Sequence, residues 1–579
     1  MKLSKIVLVT DNPSLAASIS SGLAETGTYF PVLEGPRMLR PDADNEVIRV
    51  ANAIHSLQPK LVLYGDMSEE VSSQIAEIID IPFQHVSSSD DLGQYTEIKI
   101  PAQTPTLLAA PELHRNLRGQ GNTKKVVICE FRPDDPTSVI AANYAIAHDA
   151  DFFLIDVPSD IKKKAIAKLN AISGTPHADI RQIDIDALIE MLRELLPDIK
   201  WDNYEQAVYI TDELPLGLCM PDLPAVHTYI VNVGQQIVRN IYDGNYALGK
   251  RDGVFGLFCQ NTDKDFDTKR ERKAADAALL KTGGIFRKMT TYNAALNDLM
   301  LETIPYDVLY VATHGGQVEG LENVYQINVD DTSHEVLIHE SADKTTYSVF
   351  EIIEVDGEKA DGPGWTEMHS KVRGKTWELL SEAKLPTASR TNGTVDMQRR
   401  ELTLGSGSGA GSAGAFHGLA SGYRPMVIVN ACGSWTDISA RFIFGGASIY
   451  IGTCWSVSHA TAIKFAEEFF KHLFDVEVYE AFERARSILS DQDKLAYIIS
   501  GTLENRFGPG GPYTRDAFTS LKGRVDAVIA KQSAKLAEPE KVPEESLKYI
   551  DRGIWCLGKF KEELDEVDQE VKNRKNGKS

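Results

Sequence analysis

Short apolar, β-branched runs separated by polar, helix-forming stretches recur along the chain. Residues 5–11 read KIVLVTD, 30–35 FPVLEG and 60–66 KLVLYGD, with a Ser/Ala-rich segment after the first run and a helical stretch over 45–57. This alternation predicts βα repetition of the doubly wound kind. Beyond a loop rich in Pro, Gly and Asn at 110–123 it resumes with VVICEF (126–131) and ANYAIAHDADFFLIDVP (142–158), a helix over 187–196, and QAVYITDELPLGL (206–218). From about 226, TYIVNVG and GVFGLFCQN read as strands with a helix over 235–241 between them, and 264–288 reads as a charged, exposed helix. The expected fold is α/β: N-terminal Rossmann-like α/β units, then a unit with a mostly parallel sheet and helices on both faces, then a helical C-terminal tail.

Two apolar runs end in reactive groups. Residues 306–316 read YDVLYVATHGG and 424–434 read RPMVIVNACGS, placing His314 and Cys432 just past the ends of two predicted buried strands. In open parallel sheets, active sites form at the carboxyl ends of strands. A cysteine attacks a carbonyl as thiolate, and a neighbouring histidine takes its proton or pairs with it. Gly315 leaves its backbone N–H open to a substrate, so that N–H and the N–H of Cys432 are the expected oxyanion hole. A helix over 436–444 would point its N-terminus at the thiol and favour the anion.

These residues carry a family resemblance. An apolar strand followed by His-Gly, and later an apolar strand followed by Ala-Cys-Gly, is similar to the caspase-like cysteine proteases. The sequence NACGSWTDISARFIFGGASIYIGTCWSVSHATAIKFAEEFFKHLF, from Asn430 onward, resembles their CHAT branch: a helix after the Ala-Cys strand end, a G-A-x-x-x-I-G-x-x-W-x-V strand, then an aromatic-rich helix. The likeness covers roughly 226–475. It implies a bacterial-type caspase-like α/β/α domain with Cys432 as nucleophile and His314 as general base and acid. It further implies an enzyme held inactive until an upstream activator arrives, which then cleaves a specific partner protein, such as a pore-forming effector, in antiphage defence or regulated cell death. No metal or other cofactor is needed for that chemistry. The chain departs from the pattern in two places. His314 and Cys432 are 118 residues apart, against about 50 in the caspase pattern, and His459 stands where the family commonly has Asp after the Trp-x-Val element.

The expected domains are 1–112, a Rossmann-like unit; 113–225, a second α/β unit, regulatory or a pseudo-protease; 226–515, the protease unit with an insertion over about 318–421; and 516–579, a charged helical tail. Within the insertion, 341–421 is expected to be a regulatory lid or cleavage loop, and GSGSGAGSAG (405–414) a flexible linker rather than a dinucleotide loop. SHEVLIHE (333–340) is one residue too long for the zinc-protease H-E-x-x-H and reads as a strand. His148, Asp149 and Asp151 read as helix end, turn and next strand rather than a metal site. Asp11 and Asp66, at strand ends, are expected to cap the following helices, with ligand binding as the other reading.

Three residues beyond the dyad have open roles. Asp437 either faces a basic P1 residue or caps the helix after the nucleophile. Trp455 is either a wall of the substrate cleft or core. Cys454 is an alternative nucleophile lacking the small-residue surround of Cys432.

Charge and cysteines then limit partners and compartment. The 579 residues carry a net charge of −22, which excludes the basic footprint that nucleic acid requires. The six cysteines are scattered, with no C-x-x-C, as in a reduced cytoplasmic protein, and no 18-residue apolar run predicts a membrane span. The rival reading from another class is a catalytically inactive caspase-like scaffold or signal-binding protein. A nucleotide-dependent transferase has no phosphate loop to support it.

Overall fold

The computed structural model describes residues 2–21, 28–35, most of 47–87, 116–117, 124–132, 136–230, 233–238, 255–260, 268–281, 285–289, 301–313, 315–329, 332–341, 350–355, 358–359, 390–402, 419–420, 424–435, 437–502, 517–537 and 544–575. The fold is mixed α/β with a mostly parallel sheet.

The N-terminal unit has four parallel strands, β1 (Ile6–Val9), β2 (Val32–Leu33), β3 (Leu61–Tyr64) and β4 (Phe83–His85), in the order β2-β1-β3-β4. Helices α1 (Pro13–Ser21) and α2 (Glu69–Ile78) follow β1 and β3. The expected capping role of the two aspartates is corrected. Asn12 takes the Leu15 N–H at 2.9 Å at the start of α1, and Ser68 caps α2. Asp11 instead accepts from Gly35 N at 2.9 Å, and Asp66 accepts from the Asn12 amide. The neighbouring Asn and Ser win because their side chains sit at the cap positions themselves.

An eleven-stranded sheet follows. Its strands are β5 (Asn116–Leu117), β6 (Lys125–Glu130), β7 (Asp151–Ile155), β8 (Gln206–Thr211), β9 (Ala225–Tyr229), β10 (Phe255–Gln260), β11 (Ile285–Met289) and β12 (Val308–Ala312), continuing after an insertion with β18 (Met426–Asn430), β19 (Ile449–Thr453) and β20 (Tyr497–Ser500). The spatial order is β11-β10-β12-β18-β19-β20-β9-β8-β6-β7-β5. Strands β11, β10, β12, β18 and β19 run parallel, as do β20, β9, β8, β6 and β7, and the two leaves meet antiparallel at β19 and β20. Their carboxyl ends therefore face opposite edges. The sheet crosses the boundary expected at 225 unbroken, since β8 pairs with β9 over five residues. At the seam, β20 meets β9 at His227 and Ser500, backed by Gly501 N to His227 O at 2.8 Å.

Helices cover both faces, as continuous apolar strands require. They are α3 (Thr137–Ala147), α4 (Ser159–Ser173), α5 (Gln182–Arg193), α6 (Lys269–Lys281), α7 (Asp437–Phe444), α8 (His459–His472), α9 (Val478–Ser487), α10 (Asp491–Ala496), α11 (Ala517–Ala537) and α12 (Glu544–Lys575). Alternate residues of β12 and β18 enter two separate cores: Tyr310 and Ile428 in one, Leu309, Val311, Val427 and Val429 in the other. Helix α5 begins five residues before the expected 187. The stretch 264–288 is a shorter helix, α6, followed by strand β11, and its face bearing Glu271, Ala275, Ala278 and Leu279 is buried. After α3, Asp149 adopts φ +52° at the turn, and Asp151 accepts from Tyr204 OH at 2.7 Å.

The C-terminal helices α11 and α12 pack on each other and on the sheet, burying Leu521, Val525, Leu557, Phe560 and Leu564. The charged helical tail expected over 516–579 is thus docked as far as Leu564, through its apolar stripe with Phe560 and Leu557. Arg524 of α11 donates to both oxygens of the buried Asp307 at 2.9 and 3.3 Å, at the foot of β12.

The insertion carries a sheet of its own: β13 (Gly315–Val329), β14 (Thr332–Ser341), β15 (Phe350–Val355), β16 (Glu358–Lys359) and β17 (Arg390–Leu402), antiparallel in the order β16-β15-β14-β13-β17. The described part of 341–421, expected to be a regulatory lid or cleavage loop, carries three strands. The strand read at 333–340 is found as β14. The linker at 405–414 lies outside the described residues. Among the described residues no helix is long and apolar enough to cross a membrane, and no group of three or more His, Cys, Asp or Glu could hold a metal ion.

Candidate active site

Strands β12 and β18 are adjacent and parallel, paired from Val308 and Met426 up to Ala312 and Asn430. The two strands therefore end at the same edge of the sheet, and in sequence His314 and Cys432 each follow the last pair by two residues. His314 itself lies outside the described residues. The next residue, Gly315, opens β13 and pairs with Leu402, so the insertion begins and returns beside the site.

The turn carrying Cys432 is held on several sides. Ser434 Oγ donates to Val429 O at 3.0 Å and accepts from Thr453 N at 3.1 Å, while Thr453 Oγ1 donates to Ala431 O at 2.7 Å. Tyr450 OH donates to Ser434 O at 2.6 Å, and Trp435 N to Thr453 O at 2.9 Å. Trp435 Nε1 donates to Ser500 Oγ at 2.9 Å, and Tyr229 OH to Trp435 O at 3.0 Å. Gly433 has φ +59°, the left-handed conformation that glycine adopts at no cost. Gly452 leaves room for this turn, because a Cβ there would lie 2.8 Å from Ser434 Oγ. The result is a cysteine on a turn pinned from several sides rather than on a loose loop.

Cys432 is partly exposed, whereas Cys129, Cys219, Cys454 and Cys556 are buried. A reagent thus reaches Cys432 and is excluded from Cys454. Trp455 is fully buried in the core, which corrects its reading as a cleft wall: the strand end packs the indole inward, against the sheet. Asp437 is the first residue of α7, five residues beyond the thiol. His459 opens α8 directly after Ser458, whose Oγ accepts from Thr461 N at 3.1 Å.

No protein-family model matches the chain, and no curated protein is similar to it.

Behind the turn lies a polar cluster that the sequence reading passed over. Asn430 Nδ2 lies 2.8 Å from Glu271 Oε1, 2.8 Å from Tyr310 OH and 3.0 Å from Ala462 O, and Asn430 Oδ1 accepts from Tyr497 OH at 2.6 Å. Tyr310 OH donates to Glu271 Oε1 at 2.6 Å. Burial pushes the Glu271 carboxyl up to about 7, against the opposing effect of its two donors. A signal was available: Glu271 lies at helical spacing from Ala275, Ala278 and Leu279, so the apolar face of α6 contains it.

Proposed function

We propose that the chain is a cysteine endopeptidase of the caspase-like, CHAT-type kind, using Cys432 and His314 to cleave a specific partner protein. The carrying observation is the register of β12 and β18, which brings the approaches to both residues to one sheet edge. In this reading His314 takes the proton from Cys432 Sγ, and the thiolate attacks the scissile carbonyl carbon. The backbone N–H groups of Gly315 and Cys432 hold the oxyanion. The imidazolium returns the proton to the leaving amine, and water then hydrolyses the thioester. The pinned turn supports this scheme because it fixes the nucleophile and its amide together. We place the enzyme in the cytoplasm, activated by an upstream signal in a defence or cell-death response, with an effector protein as substrate.

The test incubates wild type and Cys432→Ala with candidate partner proteins encoded beside it and reads products by intact mass. Cleavage by the wild type that vanishes in the variant supports the proposal and gives the P1 residue. No cleavage, together with no labelling of Cys432 by a thiol-directed acyl probe in the presence of partners, overturns it in favour of a scaffold.

A further inference from the structure

Glu271 is an unusual choice for its place. It is 1% exposed, and among the described residues no cation pairs with it. Its Oε1 takes two donors while its buried Oε2 has no hydrogen-bond partner. A half-satisfied buried carboxyl disfavours folding compared with an apolar side chain of similar size. Its neighbours give it another use. Tyr310 lies four residues before His314 on β12, Asn430 lies two residues before Cys432 on β18, and one oxygen of Glu271 receives hydrogen bonds from both.

We propose that Glu271 is a positioning residue for the reactive pair: through Tyr310 and Asn430 it fixes the two strand ends relative to each other, and the strength of that link follows its charge state. The inference rests on the dyad reading above. Ionised Glu271 strengthens both hydrogen bonds and holds the strand ends more firmly. Neutral Glu271 keeps Oε1 as an acceptor in weaker bonds.

Tyr310 and Tyr497 are both held neutral, chiefly by burial, and Tyr497 also feels Glu271, Asp493 and Cys432. On α6 itself, Arg270 is engaged by Glu467 of α8 at 2.8 Å and Arg272 by Asp276 at 3.6 Å.

The test follows alkylation of Cys432 by iodoacetamide across pH in the full chain, read by mass on the peptide containing it, so no protein substrate is needed. Wild type should show an inflection near pH 7 in addition to that of the thiol. Glu271→Gln, an isostere fixed in the neutral form, should lose the inflection near pH 7. Glu271→Ala should alkylate about tenfold more slowly, with Gln restoring the rate. A Gln profile that superimposes on wild type overturns the inference. If the Gln variant does not fold, Tyr310→Phe removes one donor to Oε1 and should move the lower inflection upward, and an unmoved inflection overturns the inference equally. His314→Ala is the separate arm: an unchanged profile there overturns the dyad reading and leaves the Glu271 comparison legible.

Discussion

Ala312 and Asn430 lie side by side as the last paired residues of two adjacent parallel strands, and His314 and Cys432 each follow two residues later. That register makes a definite mutational pattern. Cys432→Ala should abolish peptide cleavage, and His314→Ala should lower kcat/KM by about a thousandfold or more. Cys454→Ala should keep its activity, because that thiol is buried in the core. Cleavage kinetics on an identified substrate check all three, and a Cys454→Ala protein that folds but does not cleave would contradict the assignment.

Gly433→Ala should cost about 1–2 kcal/mol, since its φ of +59° is the left-handed region where an L side chain is strained. The strain sits next to Cys432, so the same change should slow alkylation of its thiol. Urea denaturation and thiol labelling measure the two effects.

Arg524→Met should destabilise the chain by about 3 kcal/mol, because it leaves the buried Asp307 carboxylate without its cation. Arg524→Met combined with Asp307→Asn should recover part of the loss. A double-mutant cycle by chemical denaturation gives the coupling, and additive losses would show that the pair contributes nothing of its own.

The raised pKa of Glu271 also makes a stability prediction. The folded chain holds a proton, between about 4.5 and about 7, that the unfolded chain has released. Its contribution is complete below the unfolded value and lost as pH rises through the folded one. The stability of Glu271→Gln relative to wild type should therefore grow as pH rises through that window. A difference that stays constant with pH would contradict a titrating Glu271.

The sheet was legible where apolar runs were unbroken. Residues 308–312 and 426–430 are buried on both faces, and such runs have no helical reading at that length. The helix expected at 436–444 is found as Asp437–Phe444. What escaped depended on partners far apart in the chain. Glu271 looked like one charge among many on a solvated helix, and only its spacing from Ala275 and Leu279 hinted otherwise. Within the insertion β14 was legible at 333–340, whereas β17 escaped because it mixes charge with glycine along its length, so its ladder to β13 has no strong hydrophobic signature. Trp455 was ambiguous for another reason: a strand end faces either core or cleft, and which one depends on packing that no local pattern records.

Strand β20 stands in the middle of the sheet yet is the last of its strands to be synthesised. Until residues 497–500 have left the ribosome, β9 and β19 each present an open edge of buried, apolar backbone. Such edges are templates for wrong pairing between nascent chains. Both edges are open together from the synthesis of residue 453 until that of residue 497, so wrong pairing competes with closure of the sheet in that window.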